Sequence, residues 1–598
     1  MILNPSRRAI FSHALQAFLA CTISLGSMIG RSTVAAEPID GIVDGYLDHY
    51  FKMFPTRATA AGRHDLDEQL EDFAPDKISE WIGFNQTTRS QLLELQRGSN
   101  LSTDAKLDLE ALLAQIKREL NSLTVLHRAD RDPLYWSSVT ADATVFLLVR
   151  DDIPLAQRRQ HAQARSRSVA RFAKQARDHF AGVDQSNVAP DLCQIAASQV
   201  RATATFYKEG FAQAVEGDAK VREESAAAAA ALLDFAATLD DLAKRATGSP
   251  RLAAAYETTF RLGTGINDSV RDVLRLAQSD LVSTRTEAAT YGRTVWSQSI
   301  QNEPPPKDDV QLLRKLFDRV AADHGQSVDD ALAQWRTNVA ALNNLVHEKK
   351  IMTLPDPLTL IVDRSPSFFV GQSVGGVYPP GPYAPDAKTI LFLPTPSSTA
   401  SAEQKQAFFR DFNEHFNKMI VPHELIPGHY VQFKIAVHQP HKVRTIFPDP
   451  IYVEGWGTFC ERTLLDQGWG GPLERLAHLK KQLENIARTV VDIRVHTENM
   501  SRDEVVRFVK DEALQNDQFA SNMWTRAITS SPQITTYYLG YRKVRAAQDA
   551  ACAAAGDHFE LRKFMDGMME LGPINLDHYI DRFSGKNGDV NRPAFRAK

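Results

Sequence analysis

Two histidines six residues apart, with a proline and a glycine between them, set the strongest constraint in this chain: His423-Glu424-Leu425-Ile426-Pro427-Gly428-His429. On a regular helix of about 3.6 residues per turn, positions i and i+6 stand about 240° apart, so the two rings would point away from one another. Proline removes a helical donor and clashes with the preceding turn, and glycine admits backbone angles that other residues avoid. The spacing therefore predicts a helix bulged or broken at Pro427-Gly428. A two-residue excursion there returns His429 to the side of His423, as in the zinc motif His-Glu-x-x-His, whose histidines share one helical face at i and i+4. The same pair beside a glutamate is also ordinary chemistry for a helix surface.

The downstream segment Tyr452-Val453-Glu454-Gly455-Trp456-Gly457-Thr458-Phe459-Cys460-Glu461 favours the metal. Glu454 sits in an apolar, glycine-rich stretch where a charge needs a partner. Two imidazoles, one carboxylate ligand and a second carboxylate as base are the parts of a zinc hydrolase site. The reading is His423, His429 and Glu454 as ligands of Zn²⁺, with Glu424 as the base that takes a proton from water and hands it to the leaving amine. Glu461, seven residues after Glu454 on the same helical face, can reach a neighbouring ligand or remain solvated.

With these residues in place the chain resembles a known family. His-Glu-x-x-Pro-Gly-His followed by Glu-Gly-Trp, with a second glutamate seven residues after the first, is similar to the bacterial domain-of-unknown-function 885 family, grouped with the zincin metallopeptidases. Further matches are Phe54-Pro55-Thr56-Arg57-Ala58-Thr59-Ala60-Ala61-Gly62 with His64-Asp65, Arg488 to Asp492 with His496, Pro532-Gln533 with Tyr537 and Gly540, and Phe559 to Phe564. They cover nearly all of the chain after its first segment. The resemblance implies a zinc metallopeptidase acting on a peptide substrate. It makes Tyr537, three residues before Gly540, the first candidate for donating to a tetrahedral oxyanion, ahead of His496 and the adjacent Tyr538. Asp492 and His496, one turn apart, can reach a shared ligand or form a structural pair. One departure stands out: the family reads Phe-His-Asp where this chain has Phe564-Met565-Asp566.

The chain of 598 residues is 43% apolar with net charge −4, enough for a large core and without the basic excess of a nucleic-acid partner. Its first 36 residues read as a signal peptide, with Ser6-Arg7-Arg8-Ala9-Ile10-Phe11, an apolar run to about Ile29 and small residues Val34-Ala35-Ala36 before Glu37. The arginine pair resembles a twin-arginine signal, and a general secretory signal remains the alternative. A periplasmic or secreted protein is expected. A lipid anchor at Cys21 is the weaker reading, since Phe18 suits it poorly. Cys193, Cys460 and Cys552 are too few and too scattered for a disulfide scaffold. No later apolar run approaches the roughly 20 residues of a membrane span.

Apolar periodicity is mostly helical. Leu109, Leu112, Leu113, Ile116 and Leu120 form a stripe opened by Ser102 and Thr103, and Leu476, Leu479, Leu483, Ile486, Val490 and Ile493 form another. The run from Ala226 to Ala231 also favours helix. Leu358 to Val362 and Thr389 to Leu393, each bounded by proline, read as strands, with a loop from Gly371 to Ala384 that either covers a cleft or merely connects. Pro304-Pro305-Pro306 reads as a loop within one unit. The expected architecture is mostly α: a large α-helical zincin-like fold over residues 37–598, with a small β-sheet next to the metal-binding helix. Residues 37–303 form its N-terminal helical part and 307–598 carry the metal site. The same site would also serve a metal-dependent hydrolase of non-peptide amides or esters. A periplasmic binding protein on a degenerate zincin fold is the third reading, disfavoured by the intact histidines and glutamates.

Overall fold

The structure, a computed structural model, describes residues 37–98, 100–369, 376–396 and 400–585. The expected signal peptide lies outside them. Helix α1 (Thr103–Leu120) begins where expected: the Ser102 side chain accepts the Ala105 N–H, which satisfies one of the first-turn donors left over by the helix. Its apolar stripe is buried from Leu109 to Ile116. Helices α2 (Leu155–Ala181), α3 (Pro190–Thr205) and α4 (Ala219–Ala243) pack together around Phe172, Phe180, Val200, Leu232 and Phe235. The alanine run falls in α4, where Ala228 and Ala229 are buried. Side chains this small let neighbouring helices approach closely.

Helix α5 (Val270–Ser299) precedes the triple proline, yet Val273, Leu274, Ala277 and Leu281 belong to the same core as Trp456, Leu483 and Val490. The break at Pro304 to Pro306 is thus a connection across one shared core, and the described residues from Pro38 onward form one compact unit.

A three-stranded sheet links this core to that of α2 to α4. Strands β1 (Leu360–Arg364), β2 (Gly376–Tyr378) and β3 (Thr389–Leu393) lie in the order β1-β3-β2, parallel between β1 and β3 and antiparallel between β2 and β3. Successive side chains of a strand point to opposite faces. Ile390 and Phe392 accordingly enter the core of α2 to α4, while Leu391 and Leu393 enter the larger core. β1 starts two residues later than the apolar run suggested, because Leu360 is the residue that meets Thr389 in register. β2 corrects the reading of 371–384 as loop throughout. The rest of its described part is tied down, for the Tyr383 N–H donates to the Ala61 carbonyl at 3.1 Å.

Six helices complete the part that matters for the site: α6 (Glu414–Glu424), α7 (His429–Ala436), α8 (Pro450–Asp466), α9 (Pro472–Thr497), α10 (Asp517–Ser530) and α11 (Thr536–Ala555). Lys434 of α7 donates to the carbonyls of Pro385 and Ala387, just before β3, so the sheet does adjoin the histidine-bearing helix. α9 buries the expected leucine and isoleucine stripe but also His478, Asn485, Thr489 and Asp492 on other faces. A helix buried all round must find partners for its polar groups. On α9 His478 Nδ1 meets Glu461, Arg488 meets Glu484, and Asp492 accepts from Tyr256 and Ser531, whereas the Thr489 hydroxyl and the Asn485 amide nitrogen are buried without a partner among the described residues. The three cysteines among the described residues are free, and no described helix is long and apolar enough to cross a membrane.

Candidate metal centre

The predicted break is present. α6 ends at Glu424 and α7 restarts at His429, with Leu425 to Gly428 as the link and the Ile426–Pro427 peptide cis. Two contacts hold the link. The Trp456 indole N–H donates to the Pro427 carbonyl at 2.9 Å, and Gly428 lies so close to the end of α6 that a Cβ there would sit 1.9 Å from the His423 carbonyl oxygen. The excursion brings the two imidazoles to 4.7 Å between centroids, at 83° to each other.

Helix α8 delivers the third candidate ligand, Glu454, just ahead of two glycines, Gly455 and Gly457. A Cβ on Gly455 would lie 2.4 Å from the Gly540 backbone in α11, and one on Gly457 would lie 2.8 Å from the His423 ring. Only glycine permits either approach, and together they wedge Glu454 against both histidines. Its Oε2 is 3.5 Å from His423 Nε2 and 3.7 Å from His429 Nε2. Two ligands bonded at about 2.1 Å to a tetrahedral ion are themselves about 3.4 Å apart. The observed spacings match that value and are long for direct hydrogen bonds. Oε2 is moreover a buried atom without a hydrogen-bond partner. The donor set therefore fits zinc, and it is the only such group of three among the described residues. Gly455→Ala is expected to destabilise the protein by about 1–3 kcal/mol, because backbone on both sides cannot yield cheaply, with a parallel loss of zinc affinity. Urea unfolding together with zinc titration checks this.

A second set of groups aims the ligands. His423 Nδ1–H donates to Glu461 Oε1 at 2.8 Å, and Glu461 Oε2 accepts from His478 Nδ1 at 3.2 Å. His429 Nδ1–H donates to Gln432 Oε1 at 3.3 Å. Both Nε2 atoms are thereby turned toward Glu454, the arrangement that fixes tautomer and orientation in metal sites. Glu461 and His478 are fully buried, so Glu461 holds the His423 ring in place and is not solvated. Burial opposes a charge on His423, but Glu454 and Glu461 outweigh it and push the ring up to about 10. Burial likewise opposes the charge on Glu454, yet the two histidines hold it well below the usual carboxylate range. Such a cluster attracts positive charge, which protons or a divalent cation supply.

Sequence reasoning did not identify His478 or Gln432 and cited Gln533 only within the family resemblance. Gln432 was findable at i+3 from His429 on one helix. His478 sits on a different helix, and nothing in its spacing announces it. Gln533 Nε2 donates to Glu454 Oε1 at 3.2 Å and to the Tyr537 hydroxyl at 3.4 Å, tying ligand to donor.

Glu424 ends α6 half-buried, and among the described residues no side chain or backbone group hydrogen-bonds its carboxylate, which leaves it available to water. Tyr537 lies 6.3 Å from the His423 ring, nearly parallel to it, with the Arg488 guanidinium 4.5 Å from its own centroid. Burial and the Glu454 charge raise its pKa, so the hydroxyl keeps its proton. Tyr538 instead donates to Asp280 at 2.7 Å.

His496 is a correction. Its Nδ1 accepts the Leu252 N–H and its Nε2–H donates to the Ala527 carbonyl, both at 3.0 Å. Burial, the largest influence, lowers its pKa to about 4, so the ring is neutral with both nitrogens committed to backbone. It has nothing left to offer an oxyanion. Asp492 is likewise structural, accepting from Tyr256 and Ser531. Met565, at the position of the family histidine, is fully buried in the large core.

Burial pushes Asp492 up from 3.8 to about 7. A carboxyl raised on folding binds more protons in the folded state between those values, so its contribution to stability declines as pH rises from about 4 to about 7. Asp492→Asn, which cannot titrate, should lack that decline. Urea midpoints of both proteins at pH 5 and pH 7.5 compare the slopes, and parallel behaviour would contradict the assignment.

Fold and site together define a mostly α-helical protein carrying a two-histidine, one-glutamate cluster at a broken helix. The chain belongs to the family described as "Bacterial protein of unknown function (DUF885)", whose model matches residues 55–580. No curated protein matches it. Two solved structures share the fold. One, described as a "putative lipoprotein of unknown function" from Shewanella oneidensis, is 22% identical with TM-score 0.74, covering 91% of this chain and 99% of that one. The other, a "putative lipoprotein" from Colwellia psychrerythraea, is 14% identical with TM-score 0.75, covering 91% and 98%.

Proposed function

We propose that this protein is an exported, zinc-dependent hydrolase that cleaves peptide bonds, with a zincin-like arrangement of motif helix and small sheet. The observation that carries the reading is the convergence of His423 Nε2, His429 Nε2 and the unpartnered Glu454 Oε2 at tetrahedral-ligand spacing. Zinc bound there supplies a Lewis acid that polarises a carbonyl and acidifies water. Glu424, adjacent to His423 and without a hydrogen-bond partner among the described residues, takes the proton of the attacking water and returns it to the leaving amine. The Tyr537 hydroxyl, held by Gln533 and stacked between His423 and Arg488, donates to the developing oxyanion. Export is supported by the N-terminal pattern of arginines, apolar run and small residues, and by the description of both structural neighbours as lipoproteins.

The reading is tested by elemental analysis of the purified protein together with mass spectrometry of a peptide library, run beside small amides and esters. Zinc at one per chain and peptide cleavage are expected. Turnover of the small amides or esters alone would replace peptides as the substrate. Tyr537→Phe removes one hydroxyl and should cost about 10²- to 10³-fold in turnover. If the hydroxyl acts only in the transition state, kcat and kcat/KM fall together while KM is steady. Unchanged turnover would remove Tyr537 from the mechanism.

A further inference from the structure

Beside the candidate centre lies a cavity of about 760 Å³, within the range of about 300–1,000 Å³ typical of small-molecule sites. The two share a wall, because Arg488, whose guanidinium stacks on Tyr537, also lines the cavity. Along α9 from His478, the partner of Glu461, the same wall continues through Lys481 and Glu484 to Arg488.

The charges in that wall do not balance. Lys481 Nζ and Arg488 Nη2 both lie 2.6 Å from the same oxygen, Oε1 of Glu484, and the three side chains are only 11%, 8% and 9% exposed. Lys480 and Asp411 also line the cavity, so three cations face two carboxylates. An ammonium has three donors and a guanidinium five. Besides Glu484, Lys481 has no protein acceptor among the described residues, and Arg488 has only the Asn485 side chain. Most of their donors are thus open to an incoming acceptor. Phe412 and Phe519 line the same space, and Phe519 lies 5.9 Å from the Arg488 guanidinium. Fixed cations beside aromatic surface suit one chemical object: a carboxylate attached to an apolar group.

We propose that this cavity receives the C-terminal residue of the peptide, with its α-carboxylate on the donors of Lys481 and Arg488 that Glu484 leaves open and an apolar side chain against the phenylalanines, so that the enzyme is a carboxy-terminal exopeptidase. The inference rests on the hydrolase reading for its cleavage, though not for its binding. A carboxylate gained or lost at paired cations changes affinity by about 10- to 100-fold.

Binding to the full-length protein is measured calorimetrically with N-acetylphenylalanine, its amide, and the α-amide of N-acetylglutamate, which carries its carboxylate on the side chain. The acid is expected to bind at least 10-fold more tightly than either amide, and Lys481→Met should erase that preference. Equal binding of acid and amide by the unsubstituted protein overturns the proposal. So does a glutamate α-amide that binds as well as the acid, which would make the pocket a side-chain site, or a preference that survives in Lys481→Met. Peptide digests separate this from the hydrolase reading. Internal cleavage that is indifferent to C-terminal amidation sinks the exopeptidase alone, whereas a clear acid preference without any cleavage sinks the hydrolase and leaves a carboxylate-binding pocket.

Discussion

Replacing Glu424 with glutamine is expected to leave zinc bound while turnover falls by about 10²- to 10⁴-fold, the usual share of a general base. The side chain ends α6 next to the ligand His423, and its shape is kept by the amide. What the amide lacks is the capacity to accept a proton. The expectation is sharp because Glu424 holds nothing else in place. It is half-buried and makes no hydrogen bond among the described residues, so its loss should not perturb the fold. Steady-state kinetics on a cleaved peptide, with zinc content and unfolding midpoint measured on the same sample, provide the check. An active Glu424→Gln protein would overturn the mechanism, and one that lost its zinc would make Glu424 part of the metal sphere.

His423→Ala, His429→Ala and Glu454→Ala should each abolish tight zinc binding. Three ligands leave none to spare, and Glu454 is also the counter-charge that the two histidines face. Glu461→Ala should act more mildly. It removes the acceptor that turns His423 inward, and such outer partners are typically worth about 10- to 100-fold in metal affinity. Chelator competition ranks the four variants. Binding to the folded state alone stabilises by about 4 kcal/mol at a thousandfold excess over Kd, so added zinc should raise the unfolding temperature of the parent and not of the ligand variants. Full zinc occupancy in His429→Ala would contradict the convergence on which the site rests.

The six-residue spacing around Pro427-Gly428 determined that a helix had to break, and the apolar, glycine-rich stretch around Glu454 marked a charge in need of a partner. Each is a local fact of a few residues, so each was legible in the sequence. The helical stripes on α1 and α9 and the position of β3 were legible for the same reason, since periodicity records which face is buried. The polar side of α9 was not. Nothing in the chain distinguishes His478, which completes the bridge through Glu461 to His423, from His496, whose two nitrogens end on backbone carbonyl and amide groups. Both are buried histidines on one helix, and which serves the centre depends on what other helices bring opposite them. The same holds for the cavity wall, where Lys481 and Arg488 gain meaning only from sharing one oxygen of Glu484 beside Tyr537. Sequence by itself determined the two histidines and the glutamate as candidates, and the break that gathers them, because those follow from residue chemistry and steric limits within a few residues. Tertiary structure alone decided the partners that aim the ligands and the charge beside them, because these depend on distances between segments far apart in the chain.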